Sequence, residues 1–312
     1  MINFRFHIVS LIAIFLALAL GVVIGAGVID RGVVDTLNNR LDRVEAKSDR
    51  ISKENDALSS HNQQVEGAIA DLQPFAVSGR LVGDDVGVVA LRGVDSDSAS
   101  ATVTALQQAN ATVSGTLWLE SKWKLDSDND VKALQTALGS TTKSKTTLRT
   151  EAWRQLADRL STPVVVGGDG GSDLLAVLRD AGFLGFDGVG GVTINEFPGR
   201  SAGVVMIVGN DGSVPASTVV MPAATALNAA KIPLVVASVW KQVTDGPDRA
   251  EVVQSLRDSD LKKSVSTVDD LDQPQGPATV TLALADLFLT TPTVGHYGYG
   301  PNAQPLPDPV PA

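Results

Sequence analysis

The sequence predicts an α/β protein held to a membrane: one transmembrane helix, a coiled-coil stalk, and a mostly parallel sheet packed between helices. Three observations carry this. Ile8 to Ile29 hold no charged side chain, apolar residues then recur at alternating spacings of three and four, and beyond Pro74 short valine-rich runs alternate with helical stretches.

The uncharged run decides where the other residues live. Its 22 residues, at about 1.5 Å rise each, span the roughly 30 Å hydrocarbon layer of a bilayer. Apolar cores of signal peptides run to about 7 to 15 residues. The segment 8-29 therefore reads as an uncleaved anchor, with cleavage near Gly25-Ala26-Gly27 as the alternative. Arg5 and the terminal amine precede it, which puts residues 1-7 in the cytoplasm and the rest of the chain outside the cell membrane. Within the span Ala17, Gly21 and Gly25 recur every four residues, a small-residue face suited to packing against another transmembrane helix.

Residues 33-73 read as the stalk. One heptad register places Leu37, Val44, Ile51, Leu58, Val65 and Leu72 at d, all apolar, and Val34, Leu41, Ser48, Asn55, Asn62 and Ile69 at a. Buried asparagines at a positions fix register at a cost in stability. In a parallel pair Arg40 meets Glu45 and His61 meets Glu66 across the seam, pairs that tune partner choice more than stability. A parallel homodimer is expected, about 58 Å long if wholly helical. The alternatives are a single amphipathic helix folded back on its own domain and pairing with another protein. Gln73-Pro74 is expected to end the helix, because proline cannot continue the ladder.

Residues 79-290 then read as one extracytoplasmic α/β domain. Strands are predicted at Val86 to Leu91, Thr112 to Leu119, Pro163 to Val166, Gly203 to Val208, Ile232 to Ala237 and Ser264 to Val268. Helices are predicted near Ser98 to Ala109, Val131 to Leu138, Glu151 to Leu160, Ser172 to Ala181, Pro215 to Ala230 and Asp248 to Asp258. Alternation of this kind marks a parallel, Rossmann-like sheet, and the near-continuous valines fit strands buried on both faces. Thr279 to Leu289 mixes strand and helix formers and reads as a helix or an edge strand. Residues 291-312 are proline-rich and read as an extended tail.

Composition excludes more than it assigns. The chain has no cysteine, and 35 acidic against 25 basic residues give a net charge of −10. Thiolate sites and disulfides are ruled out, and nucleic acid is an unexpected partner because it needs a positive face. The histidines are His7, His61 and His296 and the methionines Met1, Met206 and Met221, too scattered for an obvious intrachain copper site. There is no Gly-x-Ser-x-Gly elbow and no histidine within 79-290 to act as base. Gly167 to Ser172 and Gly209 to Ser213 follow strands and can flank a ligand crevice, but they lack a phosphate-binding lysine and a dinucleotide spacing, so they read as turns. Asp269, Asp270 and Asp272 can bind a hard cation, although three loop carboxylates more often serve turns and caps. Trp118, Trp123, Trp153 and Trp240 read as core residues, with a binding patch at Trp118 and Trp123 as the alternative. No enzyme activity, cofactor or metal is expected.

Three stretches together carry a resemblance: RFHIVSLIAIFLALALGVVIG in the anchor, STVDDLD at Ser266 to Asp272, and Gly295-His296-Tyr297-Gly298. In this order they resemble the actinobacterial family labelled the MctB copper transporter. The resemblance implies a mycobacterial or corynebacterial envelope protein, with Asp269, Asp270, Asp272, His296 and Tyr297 as motif residues. For some members it implies a channel of the outer, mycolic-acid membrane that lowers internal copper. For corynebacterial members it implies a part in cell-wall assembly and division beside a partner membrane protein. The residues favour the second, since a bacterial outer-membrane channel is expected to be a closed β-barrel.

Overall fold

The computed structural model describes residues 4–162, 173–197, 201–240 and 250–308, and its contacts divide into two units, Met1–Glu66 and Gly67–Ala312. The first unit is a helix throughout its described length. It belongs to α1 (Phe4–Val77), whose opening stretch Phe4–Gly25 has a mean hydropathy of 2.9 and is long and apolar enough to cross a membrane. From Val34 to Glu66 no glycine or proline interrupts the chain, so nothing in the sequence breaks the ladder. Leu37, Val44, Ile51, Leu58 and Val65 fall on that stretch and stand 44 to 64% exposed.

The second unit opens with the end of α1. The expected stop at Gln73-Pro74 is overrun, for the helix contains Pro74 and ends at Val77. The proline forfeits one ladder bond. Burial of Val77 and Leu81 in the domain core offsets that loss, and the Ser78 amide closes the turn on the Pro74 carbonyl at 3.0 Å.

The domain then runs β1 (Val86–Leu91), α2 (Ser96–Gln108), β2 (Gly115–Leu119), α3 (Asp128–Leu138), α4 (Lys145–Ser161), α5 (Leu174–Asp180), β3 (Leu184–Gly188), β4 (Gly203–Gly209), α6 (Ala216–Ala229), β5 (Leu234–Val239), α7 (Glu251–Arg257), β6 (Val265–Val268), α8 (Gly276–Leu287) and β7 (His296–Tyr297). The seven strands form one open sheet in the order β3-β2-β1-β4-β5-β6-β7. All neighbours are parallel except β2 and β3. Every residue of β1, β2, β4, β5 and β6 is buried, because helices cover both faces. α2 packs with α8, and α4 packs with α6, which packs with α7.

The α/β class is therefore the one expected, with two corrections and one open choice settled on the first of its alternatives. β3 was not predicted. Thr279 to Leu289 resolves to the helix α8, which Pro277 starts, while Thr279 and Thr281 turn their hydroxyls back to the carbonyls of Gln275 and Pro277. The segment after Thr290 is not a free tail, since His296 and Tyr297 pair with β6. The strand expected at Pro163 to Val166 and the glycine loop Gly167 to Ser172 lie outside the described residues.

Candidate functional site

The motif residues Ser266 to Asp272 and Gly295 to Gly298, far apart in sequence, meet at one end of the sheet. Thr267 stands opposite His296 and Val268 opposite Tyr297. Just past β6, Asp269 is fully buried, and its Oδ2 lies 2.7 Å from Nη1 of Arg257, whose side chain is 4% exposed. The carboxylate also accepts the amides of Tyr299 at 2.7 Å and Gly300 at 3.1 Å. Gly298 holds a φ of +118°, and a Cβ there would stand 2.2 Å from Asp269 Oδ1, so a side chain at this position would displace the carboxylate.

Arg257 ties the network to its neighbours. Its Nε donates to Thr267 Oγ1 at 2.9 Å and its Nη2 to the Tyr297 carbonyl at 3.1 Å. Thr267 Oγ1 lies 2.9 Å from His296 Nδ1. With its oxygen already accepting from arginine, the threonine hydroxyl donates to Nδ1, which leaves the imidazole proton on Nε2. Burial, and the Arg257 charge beside it, hold the His296 pKa below the ordinary value.

This sets a sign for pH. A histidine whose folded pKa is depressed takes up its proton more readily when unfolded, so its contribution is intact at neutral pH and is lost as pH falls through the unfolded value of about 6.5 toward the folded one. We expect His296→Gln to shrink the loss of thermal stability between pH 7 and pH 5. Melts in which the variant loses as much as the parent would contradict this arrangement.

The other two motif carboxylates take separate partners. Asp270 is buried and accepts from Gln275 Nε2 at 2.8 Å. Asp272 accepts from Gln273 Nε2 at 2.7 Å and lies 3.4 Å from the Trp240 amide. Among the described residues no three His, Cys, Asp or Glu side chains gather as a metal site. The motif's visible chemistry is that of a clamp: a buried ion pair and a row of hydrogen bonds fasten the C-terminal segment to the sheet.

The usual ligand crevice of such a sheet lies where strand order reverses, here between β1 and β4. Among the described residues, the loops that follow β1 and β4 lie against each other there. The Ser213 amide donates to the Arg92 carbonyl, and a Cβ on Gly93 would stand 3.0 Å from the Asp211 carbonyl oxygen. Arg92 lies 4.5 Å over the Trp118 ring and 2.9 Å from Glu120, and Asp187 accepts the Trp118 Nε1–H at 2.6 Å. The Gly209 to Ser213 loop thus spends its Ser213 amide on the fold. Trp118 and Trp123 are 4% and 0% exposed, so the alternative of a tryptophan patch is overturned.

The comparison with known proteins covers all these parts at once. Residues 1–307 match the family model described as "Copper transport outer membrane protein, MctB". The chain belongs to the MctB family. A "Copper transporter MctB" of Mycobacterium leprae is 30% identical over 98% of this chain and 99% of its own length. One of Mycobacterium tuberculosis, strain H37Rv, is 28% identical over 97% and 98%. The MctB match includes the apolar helix, the long helical stretch and the α/β domain together.

Proposed function

We propose that this MctB-family chain is a non-enzymatic, single-pass envelope protein that works as a parallel homodimer and holds a partner membrane protein in cell-wall assembly and division. Residues 1-7 lie in the cytoplasm, 8-29 cross the cell membrane, 33-73 form the stalk and the α/β domain is extracytoplasmic. The observation that carries the reading is the row of apolar d residues standing exposed along α1. Such a row is costly in water unless a second helix covers it. Asn55 and Asn62 on the same seam favour two strands in register. Ala17, Gly21 and Gly25 supply the face on which a partner's span would pack. The non-enzymatic part is supported by the employment of the motif carboxylates and His296 in hydrogen bonds and an ion pair within the fold.

Copper transport is a second reading, favoured by the family match over residues 1–307. A pore of these spans alone would be poorly lined, since Ser10 is the one polar side chain from Ile8 to Ile29. Under this reading copper crosses through an assembly in which the chain is a subunit. Copper accumulation in a deletion strain separates the readings: unchanged copper with altered division and wall-antibiotic sensitivity favours the first, and the reverse favours the second.

The absence of native cysteine makes the dimer directly testable. Leu58→Cys at d is expected to give a covalent dimer on mild oxidation in native membranes, because facing d positions bring Cβ atoms within disulfide reach. Lys53→Cys, at an outward f position of the same register, is expected to stay monomeric. Equal yields from the two variants would refute the parallel pairing.

A further inference from the structure

Within the second unit, a cavity of about 460 Å³ lies between the end of α1, α8 and the C-terminal segment, with Ala76, Arg80, Leu282, Asp286, Leu289 and Asp308 in its wall. Its volume falls in the roughly 300 to 1,000 Å³ range of small-molecule sites. Asp286 is 6% exposed, and among the described residues no hydrogen bond or ion pair reaches its carboxylate. Arg80 and Asp308 act on it across space. Burial raises its pKa, with Arg80 opposing and Asp308 adding to the shift. Burial, with Asp286 and Asp308 nearby, likewise pushes the Tyr297 phenol up to about 12. The Asp286 oxygens face the cavity, where without a protein donor they depend on water, and a ligand that supplies both positive charge and N–H groups can take that water's place.

We propose that this cavity binds an organic cation, an ammonium or guanidinium group on a short aliphatic body, with Asp286 as the buried counter-charge and Asp308 at the rim. Leu282, Leu289 and Ala76 cover the aliphatic part. A bare metal ion fits poorly, because Arg80 shares the cavity and two carboxylates fall short of the six to eight oxygens, roughly, that a hard cation such as calcium takes. A simple anion fits poorly because both acids repel it. Arg80 can also meet a carboxylate on the same ligand, so the cation can come from an amino acid or from a free amine.

The test is calorimetric titration of the full chain in zwitterionic nanodiscs with agmatine and with arginine at pH 7.5, joined to thermal melts. Saturable binding is expected, at least tenfold weaker in Asp286→Asn and a few-fold weaker in Asp308→Asn. Arginine binding more tightly than agmatine, with the difference lost in Arg80→Gln, assigns the amino-acid source, and the reverse order assigns the free amine. A second readout concerns the protein without ligand. A carboxyl whose folded pKa is raised exerts no penalty below its unfolded value of about 3.9, and a growing one as pH rises through the folded value. Asp286→Asn is therefore expected to melt above the parent, by a margin that widens with pH, with Arg80, Asp308 and Tyr297 as the titratable neighbours. No saturable heat with either compound, undiminished affinity in Asp286→Asn, or a lower melting point for it at neutral pH would overturn the proposal.

Discussion

Asp269→Asn is expected to destabilise the α/β domain by about 3 to 5 kcal/mol, the usual cost of removing one partner from a buried ion pair. Arg257 would be left charged in a site where its side chain is 4% exposed, close to a neutral His296. Arg257→Met should cost a similar amount for the mirror reason, with the Asp269 carboxylate now uncompensated. The double variant Asp269→Asn/Arg257→Met should recover much of the loss. An asparagine oxygen can still accept the Tyr299 and Gly300 amides that Asp269 accepts now, while the desolvation cost of two charges disappears. At about 2 to 4 °C per kcal/mol for a domain of this size, each single change corresponds to a melting point lower by roughly 6 to 20 °C. Limited proteolysis should then cut within Gly298 to Asp308, because the Asp269 contacts hold the start of that segment. Singles within 1 kcal/mol of the parent, or a double that simply sums them, would show that the pair does not clamp the chain.

The same residues mark what could be read in advance. β1 and β4 were legible because their valines form near-continuous apolar runs, the pattern of strands buried on both faces. The meeting of the two motifs was not legible. Asp269 and Asp270 read as loop acids open to a cation, since nothing in STVDDLD itself points to Arg257 or to a returning strand. Arg257 ends an ordinary-looking amphipathic helix, and His296-Tyr297 sits among prolines and glycines that read as a tail. Pairing between distant segments is set by tertiary contacts that local propensity does not encode. The buried carboxylate of Asp286 was equally hidden, as one acid in TVTLALADLFL. An acid within so apolar a run was the one signal that could have singled it out.

Trp123→Ala is expected to have an effect as large as the ion-pair variants, about 3 to 5 kcal/mol for a buried aromatic reduced to a methyl group. The reason also explains why β3 escaped the sequence reading. Leu-Gly-Phe-Asp-Gly carries two glycines in five residues and reads as a turn, yet it pairs antiparallel along its full length with β2. Gly188 is required there, since a Cβ would collide with the backbone carbonyl of Val192. What holds the strand in place is the residue before it. Trp123 Nε1 donates to the Phe183 carbonyl at 2.9 Å, its ring lies 5.7 Å from that of Trp153, and the Phe183 ring meets it edge-on at 6.0 Å. Alanine removes the rings' contacts and one of the two donors to the Phe183 carbonyl, which keeps the Glu120 amide at 3.0 Å. Trp123→Phe keeps most of the packing and loses one hydrogen bond to a carbonyl that retains another donor, so it should cost about 0.5 to 1.5 kcal/mol. The ordering Ala below Phe below parent in denaturant midpoint, with unchanged crosslinking at Leu58→Cys, is the expected result. A tryptophan that served as a contact patch would give the opposite pattern: midpoints within about 0.5 kcal/mol of the parent, as for ordinary surface changes, and a loss of partner recovery from membranes.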